Sequence, residues 1–442
     1  MEDLGRAFQR AVRVHDVPGA QLAVLRDGRV WEFVFGEERH ASGRAMGRDT
    51  KVPIGSITKA FTATLLMVLV SDGDVDLDEP VAEYLPEVRQ TGGGLAEVLT
   101  TRHLLSHTGG LCSEVVAPSA DARPPLAASL LELLHAPGEG FSYSNAGYAL
   151  AGRLVEVATG MTWSEAVRTI LLKPLGIAPA FIVGAGAAAS SIAHGHTVNR
   201  VLRRVRPVEQ ELSPIEAPAG GLAASAADLV ELSRMHLRSE HGGTDHGLVA
   251  PADLVEMRRP VPGAEPFGLA DGWGLGLALF RSGDTEWFGH DGTADGTSCH
   301  LRLDPESGTV VALTANSATG AALWRQLLPD LRTAGLDVGE HATSVDLGRR
   351  VPIPPGCAGD YVNGGTAYSV VVQDGELRLV VDGDTAARLT SHDGLVFSVT
   401  DPASGETGHP GRFLRDPRSG VIDRIQVGGR IASRRQRARE VA

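Results

Sequence analysis

Ser56 and Lys59 stand three residues apart in Gly55-Ser56-Ile57-Thr58-Lys59, at the head of an almost wholly apolar stretch that runs to Val70. Residues three apart share one face of a helix. A serine hydroxyl is a poor nucleophile until a neighbour takes its proton. A lysine sunk in a packed core loses its charge more readily and can be that neighbour. Ile57, Ala60, Phe61 and Leu66 surround Lys59 with apolar side chains, where a solvated face would be polar. The positive end of a helix beginning here also favours negative charge developing at Ser56. The plain alternative is a serine helix cap beside a solvated lysine. Only Lys51, Lys59 and Lys173 are lysine among 41 basic residues, so a lysine at this spacing owes little to background frequency.

Two further segments carry chemistry. Tyr143-Ser144-Asn145 closes a turn-rich run, Pro137-Gly138-Glu139-Gly140-Phe141-Ser142. A tyrosine on such a loop can shuttle a proton, and an amide two residues on can orient a substrate or the lysine. The plain alternative is a core tyrosine with an asparagine cap on the helix that begins near Gly147. Gly289-His290-Asp291-Gly292-Thr293 follows the apparent strand Thr285–Gly289. Glycines there permit close backbone approach to a ligand, and an N–H from this segment could complete an oxyanion hole. The plain alternative is a strand end with a surface histidine.

Taken in this order, the three segments resemble the serine β-lactamase and penicillin-binding-protein superfamily. The class C β-lactamase-like branch matches best, because it has Y-x-N where Tyr143-Ser144-Asn145 stands and K-T-G or H-x-G where His290-Asp291-Gly292 stands. The phrases Leu104–Leu111, Leu77–Val81 and Pro218–Leu222 extend the resemblance over roughly residues 5–335. It implies Ser56 as nucleophile and Lys59 as its base. Tyr143 would protonate the leaving group and activate the second nucleophile, and Asn145 would position the substrate. The backbone N–H groups of Ser56 and Thr293 would form the oxyanion hole. His290 departs from the lysine of K-T-G and is a weaker carboxylate anchor than a permanent ammonium. That suits esterase, peptidase or transacylase members better than efficient β-lactamases.

The elements that must position these residues are legible in outline. A helix fits Glu2–His15, and an Asp27-Gly28 turn joins strands over Gln21–Leu25 and Val30–Phe35. Helical patterns follow at Ile57–Val70, Leu126–Leu134, Gly147–Thr159, Trp163–Leu172 and Ser225–Leu237. Strands return at Gly274–Phe280, Thr285–Gly289, Ser298–Leu303 and Thr309–Thr314, before a last helix at Ala321–Leu328 that stops at Pro329. Strands, a helical insertion and an antiparallel meander predict an α+β fold, with a sheet flanked by helices, rather than a parallel sheet. This catalytic domain is placed at residues 1–345. After a Pro-rich stretch, Val351–Gly356, residues 352–442 read as short strands with Asp-Gly turns, an all-β barrel that resembles the lipocalin-like addition of some family members.

Composition bounds the rest. The chain has 442 residues, 43% hydrophobic and 21% charged, ordinary for a globular protein. Its net charge of -13 argues against nucleic-acid and anionic-membrane partners. Three scattered cysteines, Cys112, Cys299 and Cys357, give neither a disulfide framework nor a zinc pattern. Asp72, Asp74, Asp76 and Glu83 approach an EF-hand spacing, but Leu77 takes the glycine position. His103 and His107 lack the intervening glutamate of a zinc protease, and His194 and His196 lack a third ligand. No cofactor or metal is expected. No signal peptide is visible and no apolar run nears the ~20 residues that span a bilayer, so a cytoplasmic location is expected. The arginine-rich tail from Arg434 to Arg439 reads as a solvated end.

The expected reaction is acyl transfer through acyl-Ser56. The preferred form is an ATP-independent transacylase or cyclase that makes an amide from an ester or thioester donor in natural-product biosynthesis. The alternatives are an esterase, D-stereospecific peptidase or weak β-lactamase using water, and a non-catalytic binder with the barrel as its ligand site. The partners are then a small-molecule or peptide acyl donor and an amine or water acceptor.

Overall fold

The computed structural model describes residues 1–91, 93–95, 97–115, 133–183, 192–199, 202, 204–244, 246–340, 347–402, 405, 407, 408 and 410–435. Its helices are α1 (Glu2–Val14), α2 (Thr58–Asp72), α3 (Pro86–Thr91), α4 (Thr101–Leu105), α5 (Asn145–Thr159), α6 (Trp163–Ala166), α7 (Ala217–Gly220), α8 (Ala226–Arg234), α9 (Pro251–Arg258) and α10 (Gly320–Thr333). The strands up to residue 315 are β1 (Gly19–Arg26), β2 (Arg29–Gly36), β3 (Val52–Pro53), β4 (Gly195–Asn199), β5 (Arg204–Val208), β6 (Ala223–Ala224), β7 (Gly272–Trp273), β8 (Ala278–Ser282), β9 (Thr285–Ala294), β10 (Thr297–Asp304) and β11 (Thr309–Ala315). Then come β12 (Gly359–Asn363), β13 (Thr366–Gln373), β14 (Glu376–Val381), β15 (Asp384–Ser391), β16 (Val396–Thr400), β17 (Gly411–Arg415), β18 (Ile422–Val427) and β19 (Arg430–Arg434).

Seven strands form one antiparallel sheet in the order β2-β1-β11-β10-β9-β8-β7. Side chains alternate across a strand, and β1 uses both faces. Ala20, Leu22 and Val24 join the core under α1 and α10, while Ala23 and Leu25 join the core around α2. Burial on both faces explains why the central strands read as continuous apolar runs. Asp27 and Gly28 take φ of 51° and 71°, as a two-residue hairpin loop requires. Helix α2 is buried from Thr58 to Leu69. A helix apolar all round belongs in a core, and Gly73 ends it in the left-handed conformation.

Several elements differ from the sequence expectation. The expected Gly274–Phe280 strand begins only at Ala278, because residues 274–277 form the turn between β7 and β8, where Gly276 takes φ 76° and Gly274 N–H closes on Leu277 O. The His290-Asp291-Gly292 segment lies inside the ten-residue β9 rather than beyond its end. Helix α10 passes through Pro329 to Thr333. Buried Leu327 and Leu331 hold that helix on the sheet, which outweighs one missing N–H bond. Trp163–Leu172 is α6 followed by a π-helical turn over Val167–Leu172. The expected Leu126–Leu134 helix lies almost entirely outside the described residues.

Strands β12 to β19 close an eight-stranded antiparallel barrel. Its inside is packed with side chains, including Tyr361, Leu379, Phe397, Phe413 and Ile425, with the two phenylalanine rings 4.8 Å apart. That packing speaks against the barrel interior as a ligand site. Arg434 belongs to β19 rather than to a solvated tail, and its guanidinium lies 5.0 Å from the Tyr361 ring. Among the described residues, no helix is long and apolar enough to cross a membrane.

Candidate active site

Ser56 sits in a 3₁₀ turn, Gly55–Ile57, that feeds directly into α2. Strand β9 runs against this turn at a distance only glycine allows. A Cβ on Gly55 would lie 2.1 Å from Thr293 O, and one on Gly292 would lie 2.0 Å from Ile54 O. Gly55 also has φ 49°, which disfavours any side chain. These two contacts bring the backbone of Thr293 beside Ser56, the pairing an oxyanion hole needs.

Lys59 is fully buried. Its Nζ lies 3.2 Å from Ser56 Oγ and donates to Ala219 O at 2.8 Å. Thus the Pro218–Leu222 phrase supplies the carbonyl that aims the lysine. Burial, helped by the positive charge of Arg430, lowers the Lys59 pKa to about 7. Lys59 is then present as the neutral amine often enough at physiological pH to take the Ser56 proton.

Tyr143 is buried, and burial raises its phenol well above the usual range. Its Oη faces Ser56, which opposes that rise, without a full hydrogen bond to any group. Lys59 Nζ lies 4.9 Å from the Tyr143 ring centroid, and Arg430 Cζ lies 5.1 Å from it on the barrel side. His107 stacks on the ring at 4.2 Å, and its Nδ1 accepts the Ser144 N–H. Asn145 opens α5 rather than capping it; the cap is Ser144, whose Oγ accepts the Gly147 N–H. Asn145 Nδ2 donates to Glu114 Oε2 at 2.9 Å, leaving its Oδ1 without a partner.

His290 is buried, and its Nδ1 lies 2.6 Å from Asp291 O. A carbonyl can only accept, so Nδ1 carries the proton and Nε2 presents a lone pair. Nε2 has no partner. Burial, then the charge of Lys59, lowers the His290 pKa to about 4. An uncharged histidine here cannot anchor a carboxylate as an ammonium would. Asp291 is turned away to Arg302 and His300, 2.7 and 2.8 Å off.

Ser56 and Thr293 separate two chambers. One, of about 320 Å³, is lined by Asn145, Gln210, Glu211, Glu216 and Asp295. There Glu216 shares a hydrogen bond with Glu114, and burial together with the Glu114 charge pushes its carboxyl well above the usual range. Glu114 also approaches Arg430, at 3.8 Å. The other chamber, of about 180 Å³, is lined by Tyr143, Leu269, Trp273, Phe280, His290 and Arg430. Ser56, Lys59, Tyr143, Asn145, His290 and Thr293 are therefore brought together. Sequence reasoning missed Glu114, Glu216, Trp273 and Arg430. Glu114 lies just beyond the Leu104–Leu111 phrase and Glu216 just before Pro218-Ala219-Gly220, and that adjacency was the available signal. Of the rejected metal candidates, Glu83 pairs with Arg89 and His103 caps α4.

Comparison with known proteins gives three kinds of match. A family model described as Beta-lactamase matches residues 4–333. Penicillin-binding protein 4 of Amycolatopsis lactamdurans is 33% identical over 365 residues, 80% of this chain and 95% of that protein. Among solved structures, SurE aligns with TM-score 0.86 and 39% identity over 98% of both chains, and it has also been solved with D-Leu. A D-stereospecific amidohydrolase from Streptomyces sp. aligns with TM-score 0.58 and 28% identity, over 73% of this chain and 97% of its own.

Proposed function

The chain belongs to the Beta-lactamase family, and from that premise we propose that it transfers an acyl group through acyl-Ser56 to an amine. Lys59 takes the Ser56 proton as Oγ attacks the donor carbonyl. The N–H groups of Ser56 and Thr293 receive the developing oxyanion. Tyr143 returns the proton to the departing alcohol or thiol. With the direction reversed, Tyr143 and Lys59 draw a proton from the incoming amine, which attacks the acyl carbon and frees Ser56 as an amide forms. Asn145 Oδ1, an acceptor without a partner beside Ser56, orients an amide N–H of the donor. An ester or thioester already stores the free energy of the new bond, so no ATP is called for, and natural-product assembly is the setting this suits.

The observation that carries the amine is Glu216 on the wall of the larger chamber, hydrogen-bonded to Glu114 behind it. Two carboxyl groups sharing one proton attract a cationic ammonium and can relieve it of a proton before attack. Neutral water gains less from the negative charge of such a pair than a cationic amine does. The smaller, aromatic chamber suits an apolar acyl side chain. The D-leucine of the SurE structure and the D-stereospecificity of the amidohydrolase favour a D-configured residue there.

Product partition tests the reading. A peptidyl thioester ending in D-leucine is mixed with the enzyme, an amine is titrated in, and amide is quantified against free acid with Ser56→Ala as blank. Amide that rises and saturates at low amine concentration is the expected result. Acid alone, indifferent to amine, makes the protein a D-peptide hydrolase, the second reading that the amidohydrolase likeness favours.

A further inference from the structure

We infer that the C-terminal barrel is a working part of the active site, with Asn363 and Gln426 as positioning residues for Tyr143 and Asn145. The inference rests on the reading that Tyr143 moves protons in acyl transfer. The loop Phe141–Asn145 is suspended from the barrel residue by residue. Phe141 O accepts from Gln426 Nε2 at 3.2 Å. Ser142 Oγ accepts from the Ile431 N–H at 3.2 Å. Tyr143 N–H donates to Gly429 O at 2.9 Å. Asn145 N–H donates to Ser113 O at 2.7 Å, and the Ser113 N–H donates to Asn363 Oδ1, also at 2.7 Å.

Both barrel residues are themselves fixed. Gln426 is fully buried and its Oε1 accepts from Arg412 Nε at 2.7 Å. Asn363 is buried and its Nδ2 donates to Ile431 O at 2.6 Å. Gln426 thus joins a barrel strand to the catalytic loop directly, and Asn363 joins one to it through Ser113, with both ends of each amide satisfied. Gly429, at φ 71°, lets the barrel turn press within contact of Leu269 and Phe141. From the catalytic domain the loop is held at Ser142 N–H by His107 O, at Tyr143 O by Ser113 Oγ, at Ser144 by His107 Nδ1 and Cys112 O, and at Asn145 N–H by Ser113 O. The peptide N–H of Tyr143 itself is held by the barrel. The family model matches residues 4–333 and ends before the barrel, so the family fold does not demand this arrangement. Catalytic groups misplaced by about an ångström can lose about a hundredfold in rate.

Isosteric variants and a coupling cycle test this. Gln426→Glu keeps the acceptor for Arg412 and removes the donor to Phe141 O. Asn363→Asp keeps the acceptor for Ser113 and removes the donor to Ile431 O. Each is made in the full chain, alone and with Tyr143→Phe, and kcat for thioester aminolysis is measured beside the thermal midpoint. The expected result is a ten- to hundredfold fall in kcat with amine KM little changed, and no further fall once Tyr143 is Phe. Equal falls in both backgrounds, or no fall in a folded variant, overturn the inference. If Asn363→Asp does not fold, Gln426→Glu decides alone. If Tyr143→Phe by itself leaves kcat intact, the role of Tyr143 fails, and the inference with it.

Discussion

The two chambers beside Ser56 differ in both chemistry and origin. The larger is lined by carboxylates and amides from the helical insertion and the β9–β10 turn. The smaller is aromatic, and its charged groups are Arg430 on the barrel and Asp291, which is paired with Arg302 and His300. Lys59 feels both. Arg430 lowers its pKa while Glu114 and Glu216 raise it. On the proposed reading, donor and acceptor would be divided between these chambers by electrostatics as well as by size.

The sharpest break is at the shared centre. Ser56→Ala and Lys59→Ala should each lower thioester consumption by at least about a thousandfold, and intact-mass spectrometry should find no acyl-enzyme in either. Next is pH. Lys59 is active when neutral, so the acylation rate should rise about tenfold per pH unit below 7 and level off above it. A flat profile from pH 5 to 9 would mean another base. Smaller, and specific to one chamber, is Glu216→Gln. It should raise amine KM by roughly ten- to a hundredfold, the loss of one charge-assisted hydrogen bond, with thioester hydrolysis little changed on the high-pH plateau where Lys59 is already neutral. Smallest is a pair of opposite shifts. Arg430→Gln should move the midpoint of the acylation profile to higher pH and Glu114→Gln to lower pH. Shifts of the same sign would show that the chambers do not oppose each other at Lys59.

The chemistry was legible where it is local. Ser56 and Lys59 share one turn, and the apolar neighbours that strip Lys59 of its charge are its own helix. Tyr143, Asn145 and His290 could be placed only by their order along the chain. The acidic pair could not be read, because Glu114 and Glu216 lie about a hundred residues apart and meet only through α5 and the turn before α7. Arg430 was hidden for the same reason, inside a tail read as a separate barrel. The fold was legible as sheet, helices and barrel. Its errors fell where tertiary packing overrides a local signal, as at Pro329, or where one glycine breaks a strand, as at Gly276.

The close approach of Gly55 and Gly292 to the neighbouring backbone has an evolutionary consequence. The joint between nucleophile and sheet has no clearance, so neither position can drift by even one methyl group. A lineage that keeps this chemistry must therefore explore new substrates elsewhere. The chamber walls, carried on the helical insertion and on the barrel, are the parts left free to vary.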